Sequence, residues 1–238
     1  MYLLIDSNVT AGYYLPRSLN SKRARERITT IFDSVRSGET DHFLYIPNFC
    51  IAEVFGVFAK HSFAGWNSQV KKKGTIDTRV YGSLKKQFAE DIHNGRFLYP
   101  YKLSRYHILG IDLIAPVDHY FQVTRGKKRH VPMGTFDHLI ISMGIQLAHI
   151  HGTENSVIVT ADSRLSDILE RCRKGLRART IRKLKLEVAE QVTGRAFAPE
   201  IFPQCLNLKT ATKSELSRVL GVWPLPTKSI KGVYRWLQ

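Results

Sequence analysis

The first ten residues constrain the fold of this chain more than any other stretch. Tyr2 to Ile5 form a short apolar run that stops abruptly at Asp6. Such a run is typical of a strand buried on both faces, as in the parallel sheets of α/β proteins. In open parallel sheets, ligands bind just outside the carboxyl ends of the strands. The N-terminal run therefore predicts that Asp6 lies at that edge of a sheet.

Strand and helix patterns alternate along the rest of the chain. Alternation of this kind predicts a central parallel sheet with helices on both faces, and hence an α/β fold. Thr135 is expected to be the N-cap of a long helix. The basic stretch 171–185, with eight basic residues and no acidic one, is expected to continue as a helix to about Val192. Further strands are expected at 43–46, 97–99, 156–160 and 204–208. Further helices are expected at 21–36, 48–60, 80–93, 106–123, 163–173 with a stop at Gly175, and 212–221.

The composition favours a polyanionic partner. The formal net charge is +16 and the sequence pI is about 9.9. Residues 163–238 carry a net charge of +10, and residues 1–162 carry +6. A surplus of this size points to nucleic acid, with mere solubility as the structural alternative.

The sequence also predicts where the protein works. Its three cysteines are far apart and form no metal-binding spacing, which suits a reducing compartment. It contains neither an apolar stretch of about 18 residues nor a signal-peptide pattern. We therefore expect a cytoplasmic protein with no membrane partner.

Four acidic residues stand at positions where this fold would bring them together. Asp6 and Asp162 each follow a strand, Asp137 opens a helix, and Glu53 lies in an otherwise apolar helix. Each has a structural alternative on its own, such as a turn, a helix cap or an ion pair. Two like charges about 4 Å apart repel by about 4 kcal/mol at an effective dielectric of about 20. The set together therefore predicts a bound cation, for which oxygen ligands favour Mg²⁺ or Mn²⁺.

The four acids lie within short segments that also share their local context. These are LLIDSNV at 3–9, IPNFCIAEV at 46–54, GTFDHLI at 134–140 and VIVTAD at 157–162. In this order, the segments resemble those of the PIN-domain nucleases. Each segment is a weak match alone, and the ordered set with a carboxylate in each is more specific.

The resemblance implies a three-layer α/β/α sandwich with a central parallel sheet. It also implies a Mg²⁺- or Mn²⁺-dependent endoribonuclease in which Asp6, Glu53, Asp137 and Asp162 are the catalytic and metal-binding residues. The resemblance further implies that Asn8 and Thr160 orient Asp6 and Asp162 from a second layer. Many members of the family are toxins with an antitoxin, so an antitoxin-like inhibitor and a homodimer are further expectations.

The resemblance also suggests how the chain is divided. We expect a PIN-like domain over 1–221, with basic insertions at about 61–130 and 176–200, and a C-terminal tail at 222–238. Asp167, one turn after Asp162, is left open as a further ligand. The basic residues expected to contact nucleic acid are Arg125, Lys127, Lys128, Arg129, Arg171, Arg173, Lys174, Arg177, Arg179, Arg182 and Lys183.

Two other functions remain open at this point. One is an RNA-binding PIN scaffold with little or no catalysis, which the basic segments suit equally well but which gains nothing from four clustered acids. The other is a phosphatase of the haloacid dehalogenase type, in which Asn8 would have to be a second aspartate and Glu53 would have no role. The sequence distinguishes neither RNA from DNA nor one target RNA from another.

Overall fold

A single parallel sheet forms the centre of the molecule. The computed structural model describes residues 1–15, 21–62, 76, 78–95, 97–124 and 132–228. Within them, five parallel strands are hydrogen-bonded in the order β3-β2-β1-β4-β5. The strands are β1 (Tyr2–Ile5), β2 (Phe43–Pro47), β3 (Leu98–Tyr101), β4 (Ser156–Thr160) and β5 (Gln204–Asn207).

Helices flank this sheet and make the molecule an α/β protein with the layers of an α/β/α sandwich, as the sequence predicts. The described α-helices are α1 (Ser7–Tyr14), α2 (Lys22–Arg36), α3 (Asn48–Ser62), α4 (Thr78–His93), α5 (Arg105–Leu109), α6 (Ala115–Thr124), α7 (Thr135–His151), α8 (Ser163–Arg173), α9 (Ala178–Lys183), α10 (Ala189–Thr193) and α11 (Lys213–Leu220). Short 3₁₀ helices lie at Gly110–Leu113, Thr153–Asn155 and Pro199–Ile201.

The N-terminal strand lies in the middle of the sheet because its sequence is apolar on both faces. Leu3, Leu4 and Ile5 are fully buried, and every residue of β4 is buried beside them. In the register of the sheet, Tyr2 is paired with Phe43 on one side and with Ser156 on the other. The apolar run at the N-terminus therefore correctly predicts a strand that is buried on both faces of the sheet.

The strand order places a topological switch point between β1 and β4. From β1 the chain builds outward to β2 and β3, and then returns to add β4 and β5 on the other side. Loops that leave neighbouring strands in opposite directions open a crevice at the carboxyl edge, where α/β proteins bind ligands. Asp6 follows β1 and Asp162 follows β4, so both lie at this crevice.

The predicted helices at 21–36 and 48–60 are confirmed. Ser21 caps α2, its hydroxyl accepting a hydrogen bond from the backbone N–H of Ala24 at 3.3 Å. Ile28, Ile31 and Phe32 are fully buried on one face of α2. Helix α1 packs against both α2 and α3, whereas α7 packs against β4 and β1.

Two local predictions are wrong. The N-cap of α7 is Gly134 rather than Thr135, which is the first helical residue. The end of α8 at Arg173, before Gly175, is as the sequence predicts, but the basic stretch after it does not continue as one helix to Val192, since two short helices, α9 and α10, follow. Gly175 and Lys185 have positive φ angles of 78° and 57°, conformations that interrupt a right-handed helix.

The segments expected as insertions and tail take part in the fold. Residues 61–130 contribute β3 to the sheet and the buried side chain of Phe88. Residues 176–200 bury Leu186 and Ala189, and Leu225 after α11 is also buried. The lysine run 71–73 lies outside the described residues. In the part of the chain that the structure describes, no helix is both long and apolar enough to cross a membrane.

A buried ion pair ties the helical layer together. The guanidinium of Arg36 in α2 forms a two-bond ion pair with Asp91 in α4, with Nη1 2.8 Å from Oδ1. Asp91 Oδ2 also accepts a hydrogen bond from the hydroxyl of Tyr14 in α1 at 2.5 Å. The ring of Phe97 lies 4.0 Å below the same guanidinium. This network fixes α1, α2 and α4 relative to one another.

Candidate active site

Asp6 is the most buried carboxylate of the site, with only 3% of its surface exposed. Its Oδ2 accepts hydrogen bonds from Thr160 Oγ1 at 2.6 Å and from Asn8 Nδ2 at 2.5 Å. Its Oδ1 accepts a longer bond from the Ser7 hydroxyl at 3.3 Å. The carboxylate is therefore fixed through one oxygen, and the other oxygen is held far more weakly.

The residues around Asp6 join the ends of β1 and β4. The Thr160 hydroxyl, which donates to Asp6, also accepts from the backbone N–H of Asp162 at 2.9 Å. Asn8 Oδ1 accepts from the backbone N–H of Ala161 at 3.1 Å. The Asp6 backbone N–H donates to the Val159 carbonyl at 3.1 Å. The structure thus places Asn8 and Thr160 where they orient Asp6 and the turn that carries Asp162.

The charges of Glu53 and Asp137 affect the pKa of Asp6. Burial raises the pKa of Asp6 to about 6, and the negative charges of Asp137 and Glu53 add to the rise. The same three carboxylates strengthen the effect of burial in raising the pKa of the Cys50 thiol, one turn before Glu53 in α3. The charges of Asp137, in the first turn of α7, and of Glu53, in α3, are thus felt at Asp6, which follows β1.

Asp137 is held in place by the start of its own helix. Its Oδ2 accepts a hydrogen bond from the backbone N–H of Gly134 at 3.0 Å, which closes the first turn of α7. Burial raises the pKa of Asp137 despite this bond, and the charge of Asp162 raises it further. Asp137 and Asp162 are thus close enough to repel each other.

Asp162 differs from the other three acids because a cation neutralises it. Burial disfavours its ionised form, but hydrogen bonds from Arg164 outweigh burial and lower the pKa of Asp162. The backbone N–H of Arg164 donates to Oδ1 at 2.7 Å, and Arg164 Nη2 lies 3.0 Å from Oδ2. Asp6, Glu53 and Asp137 form no ion pair with any described residue.

The acidic side chains offer oxygen ligands of the type that a hard divalent cation prefers, but they are not arranged to hold one. Carboxylate oxygens are the ligands that Mg²⁺ and Mn²⁺ prefer. Three neighbouring carboxylates without a cationic partner create the charge that such an ion neutralises. However, no three Asp, Glu, His or Cys side chains among the described residues are placed so that they could hold a metal ion. The half-buried acids would have to move toward Asp6 for a cation to bind.

Sequence reasoning left out a residue that supports the site. Asp118 in α6 is 1% exposed, and its Oδ2 accepts from the backbone N–H of Met133 at 2.9 Å and lies 3.1 Å from His138 Nε2. These contacts anchor both sides of the turn that leads into Asp137. Asp118 is 15 residues before Met133 and 20 before His138, so no local pattern joins them. The only signal in the sequence was an aspartate in an apolar stretch.

Asp167 lies apart from this arrangement. It is exposed on α8, where it lines a groove of about 100 Å³ with Ser163, Arg164 and Arg171. Nothing in the described structure joins it by a hydrogen bond to the four acids.

The predicted nucleic-acid contacts divide into two groups. Arg125, Lys127, Lys128 and Arg129 lie outside the described residues. The remaining basic residues lie on or beside two separate helices, α8 and α9. Some are already engaged: Arg171 lies 4.2 Å from the Phe121 ring centroid, and Lys174 lies 2.6 Å from Glu170. Arg177, Arg179, Arg182 and Lys183 are exposed.

No protein-family model matches the chain, and no curated protein matches it significantly. What the site can do is therefore inferred from its own geometry and from the motif resemblance.

Proposed function

We propose that this protein is a metal-dependent endoribonuclease of the PIN-like type. The observation that carries the proposal is the buried carboxylate of Asp6 at the switch point of the sheet, where it feels the charges of Asp137 and Glu53 while none of the three forms an ion pair with a described residue. A chain with a net charge of +16 has ample basic residues to pair these acids if they were structural only. Their isolation supports a site that receives a cation.

In this proposal Asp6, Glu53, Asp137 and Asp162 hold Mg²⁺ or Mn²⁺. A divalent cation there would neutralise charge at the scissile phosphate and activate a water for in-line attack. The protein's own part is positioning. Thr160 and Asn8 fix one oxygen of Asp6, and Asp118 anchors the turn before Asp137.

Arg164 has a double role in the proposal. In the metal-free protein it neutralises Asp162 and so reduces the repulsion on Asp137. Its side chain is 48% exposed, so it can release Asp162 at little cost and contact a phosphate of the substrate. The exposed basic residues of α9 would hold the RNA backbone further from the site.

The test is cleavage of a labelled single-stranded RNA with Mg²⁺, with Mn²⁺ and with a chelator. Cleavage should require a metal and should be lost in Asp137→Asn and Glu53→Gln. Glu154→Gln is the matched control, because Glu154 is exposed and lies before β4, at the opposite edge of the sheet. Cleavage that survives in Asp137→Asn, or in chelator, would overturn the proposal.

A second function is favoured by one observation. The ion pair between Arg164 and Asp162, together with the lack of a ready metal arrangement among the described residues, is what an RNA-binding scaffold without catalysis would show. Tight, salt-sensitive RNA binding with no cleavage under any metal would select it. With either function, four properties stay predictions: a toxin role, an antitoxin-like inhibitor, a homodimer and a cytoplasmic location.

A further inference from the structure

An exposed pair of stacked phenylalanines lies next to the acids. The rings of Phe49 and Phe136 are nearly parallel, at an interplanar angle of 13° with centroids 5.1 Å apart. Phe136 immediately precedes Asp137 in the first turn of α7, and Phe49 lies one turn before Glu53 in α3. The pair therefore bridges the two helices that deliver these acids.

Phe136 is unusual because it is 50% exposed although apolar. Phe49 is only partly buried and packs against the core, so it supports Phe136 from one side. Phe49 stacks on one face of the Phe136 ring, and half of the surface of Phe136 is exposed to solvent. A rigid aromatic ring with one open face is what an unpaired nucleobase stacks on.

We infer that Phe136, backed by Phe49, stacks an unpaired base of single-stranded RNA and places the adjoining phosphate at the acids. This inference rests on the proposed function and adds a base-binding residue to it. Phe49 and Glu53 are four residues apart in α3 and share one face of that helix, so the ring stacked on Phe49 lies on the same side of α3 as the Glu53 carboxylate. Bases inside a duplex are stacked on each other and cannot reach the ring. The protein would therefore select single-stranded RNA.

The charge of the molecule argues for a nucleic acid rather than an apolar partner. A hydrophobic interface would need a contiguous apolar surface, whereas the two stacked residues lie next to Asp137 in α7 and one turn before Glu53 in α3. Single-stranded nucleic-acid sites combine basic side chains for the backbone with aromatic rings for the bases. Phe136 supplies such a ring next to Asp137 in the chain, and Arg164, whose charge acts on Asp137, supplies a basic side chain.

The experiment measures base stacking directly, without catalysis. RNA 12-mers with 2-aminopurine at one position would be titrated with the full chain in chelator, since stacking quenches this base's fluorescence. We expect quenching by the wild type and by Phe136→Trp, and its loss in Phe136→Leu. Affinity for the single strand should fall by about 5-fold to 100-fold in Phe136→Leu and Phe136→Ala. Affinity for a duplex of the same sequence should not change.

Phe43 provides a matched control. It is 40% exposed and stacked on Tyr2 at 5.4 Å and 16°, but it begins β2 at the opposite edge of the sheet. Phe43→Leu should bind and quench like the wild type. Equal binding by Phe136→Leu and wild type, or an equal loss in Phe43→Leu, would overturn the inference. Melting curves of each variant show that it is folded, and the leucine variant keeps the apolar contact with Phe49.

The two proposals fail in different ways. Quenching that depends on Phe136, without cleavage by any metal form, would remove the nuclease activity and leave the base-stacking site. Metal-dependent cleavage with unchanged binding by Phe136→Leu would leave the nuclease and remove the stacking site. A DNA strand of the same sequence is a further arm: tighter binding of DNA than RNA would overturn the choice of RNA.

Discussion

Replacing Asp6 by Asn should make the metal-free protein more stable. The pKa of Asp6 is raised from 3.8 to about 6 in the folded state, first by burial and then by Asp137 and Glu53. A rise of roughly two pKa units means that ionised Asp6 costs about 3 kcal/mol of folding free energy at neutral pH. The asparagine carbonyl oxygen can still accept from Thr160 and Asn8, so these hydrogen bonds are not lost. We expect a gain of about 1–3 kcal/mol, or about 3–8 °C in Tm.

The pH dependence follows from the direction of the shift. Since the folded-state pKa lies above the unfolded value, the penalty is absent below about pH 3.8, grows up to about pH 6 and is complete at neutral pH. The advantage of Asp6→Asn over wild type should therefore be full at pH 7 and should vanish toward pH 4. Glu154→Gln, which removes an exposed charge, should show no comparable difference at either pH.

The assay is thermal unfolding in chelator and then with Mn²⁺. Mn²⁺ should raise the Tm of the wild type, because it neutralises the acids in the folded state only, and should raise that of Asp6→Asn much less. A lower Tm of Asp6→Asn than of wild type in chelator at pH 7 would refute the reasoning. It would mean that Asp6 is a satisfied structural carboxylate rather than an acid kept charged at the cost of stability.

Three further substitutions test the supports of the site and of the fold. Thr160→Val should lower the free energy of unfolding in urea by about 1.5–3 kcal/mol and weaken Mn²⁺ binding about 10-fold or more. Thr160→Ser keeps the hydroxyl and should change both far less, so equal effects of the two variants would contradict a role of the hydroxyl. Arg36→Met removes the ion pair of Asp91 and should lower the free energy of unfolding by about 3 kcal/mol, part of which the double variant with Asp91→Leu should regain. A loss below about 1 kcal/mol would show that the fold does not depend on this pair. Asp118→Ala should slow RNA cleavage more than Asp118→Asn, and equal rates would show that its contacts do not position Asp137.

The sheet could be predicted because its signal is local. An apolar run of four residues is enough to show that β1 is covered on both faces, and the β-branched β4 gives the same signal. Together with the alternation of helices, these strands fix the fold class. The position of Asp6 at the carboxyl edge follows from the place where the apolar run ends. Burial of such runs dominates the free energy of folding, which is why the pattern is reliable.

The errors concern interactions that no local pattern carries. Thr135 is a good capping residue, but the side chain of Asp137 closes the turn on Gly134 instead. The basic stretch after Gly175 is not one helix, because the positive φ angle at Lys185 interrupts it. The link from Asp118 to His138 joins residues 20 apart that lie on two different helices, α6 and α7. By contrast, the pairing of Asp162 with Arg164, two residues apart, was open to prediction and was missed.

The burial of the four acids differs in a way that suits a site that closes on a cation. Asp6 ends the central strand, beside fully buried neighbours, so its position is fixed by the most tightly packed part of the molecule. Glu53, Asp137 and Asp162 are only half-buried and stand on or before helices, where side chains can turn at small cost. In a site with one fixed carboxylate and three mobile carboxylates, the repulsion between the four groups would stay low until a cation binds. In the proposed site, Arg164 is paired with Asp162 and would have to release it when a cation binds.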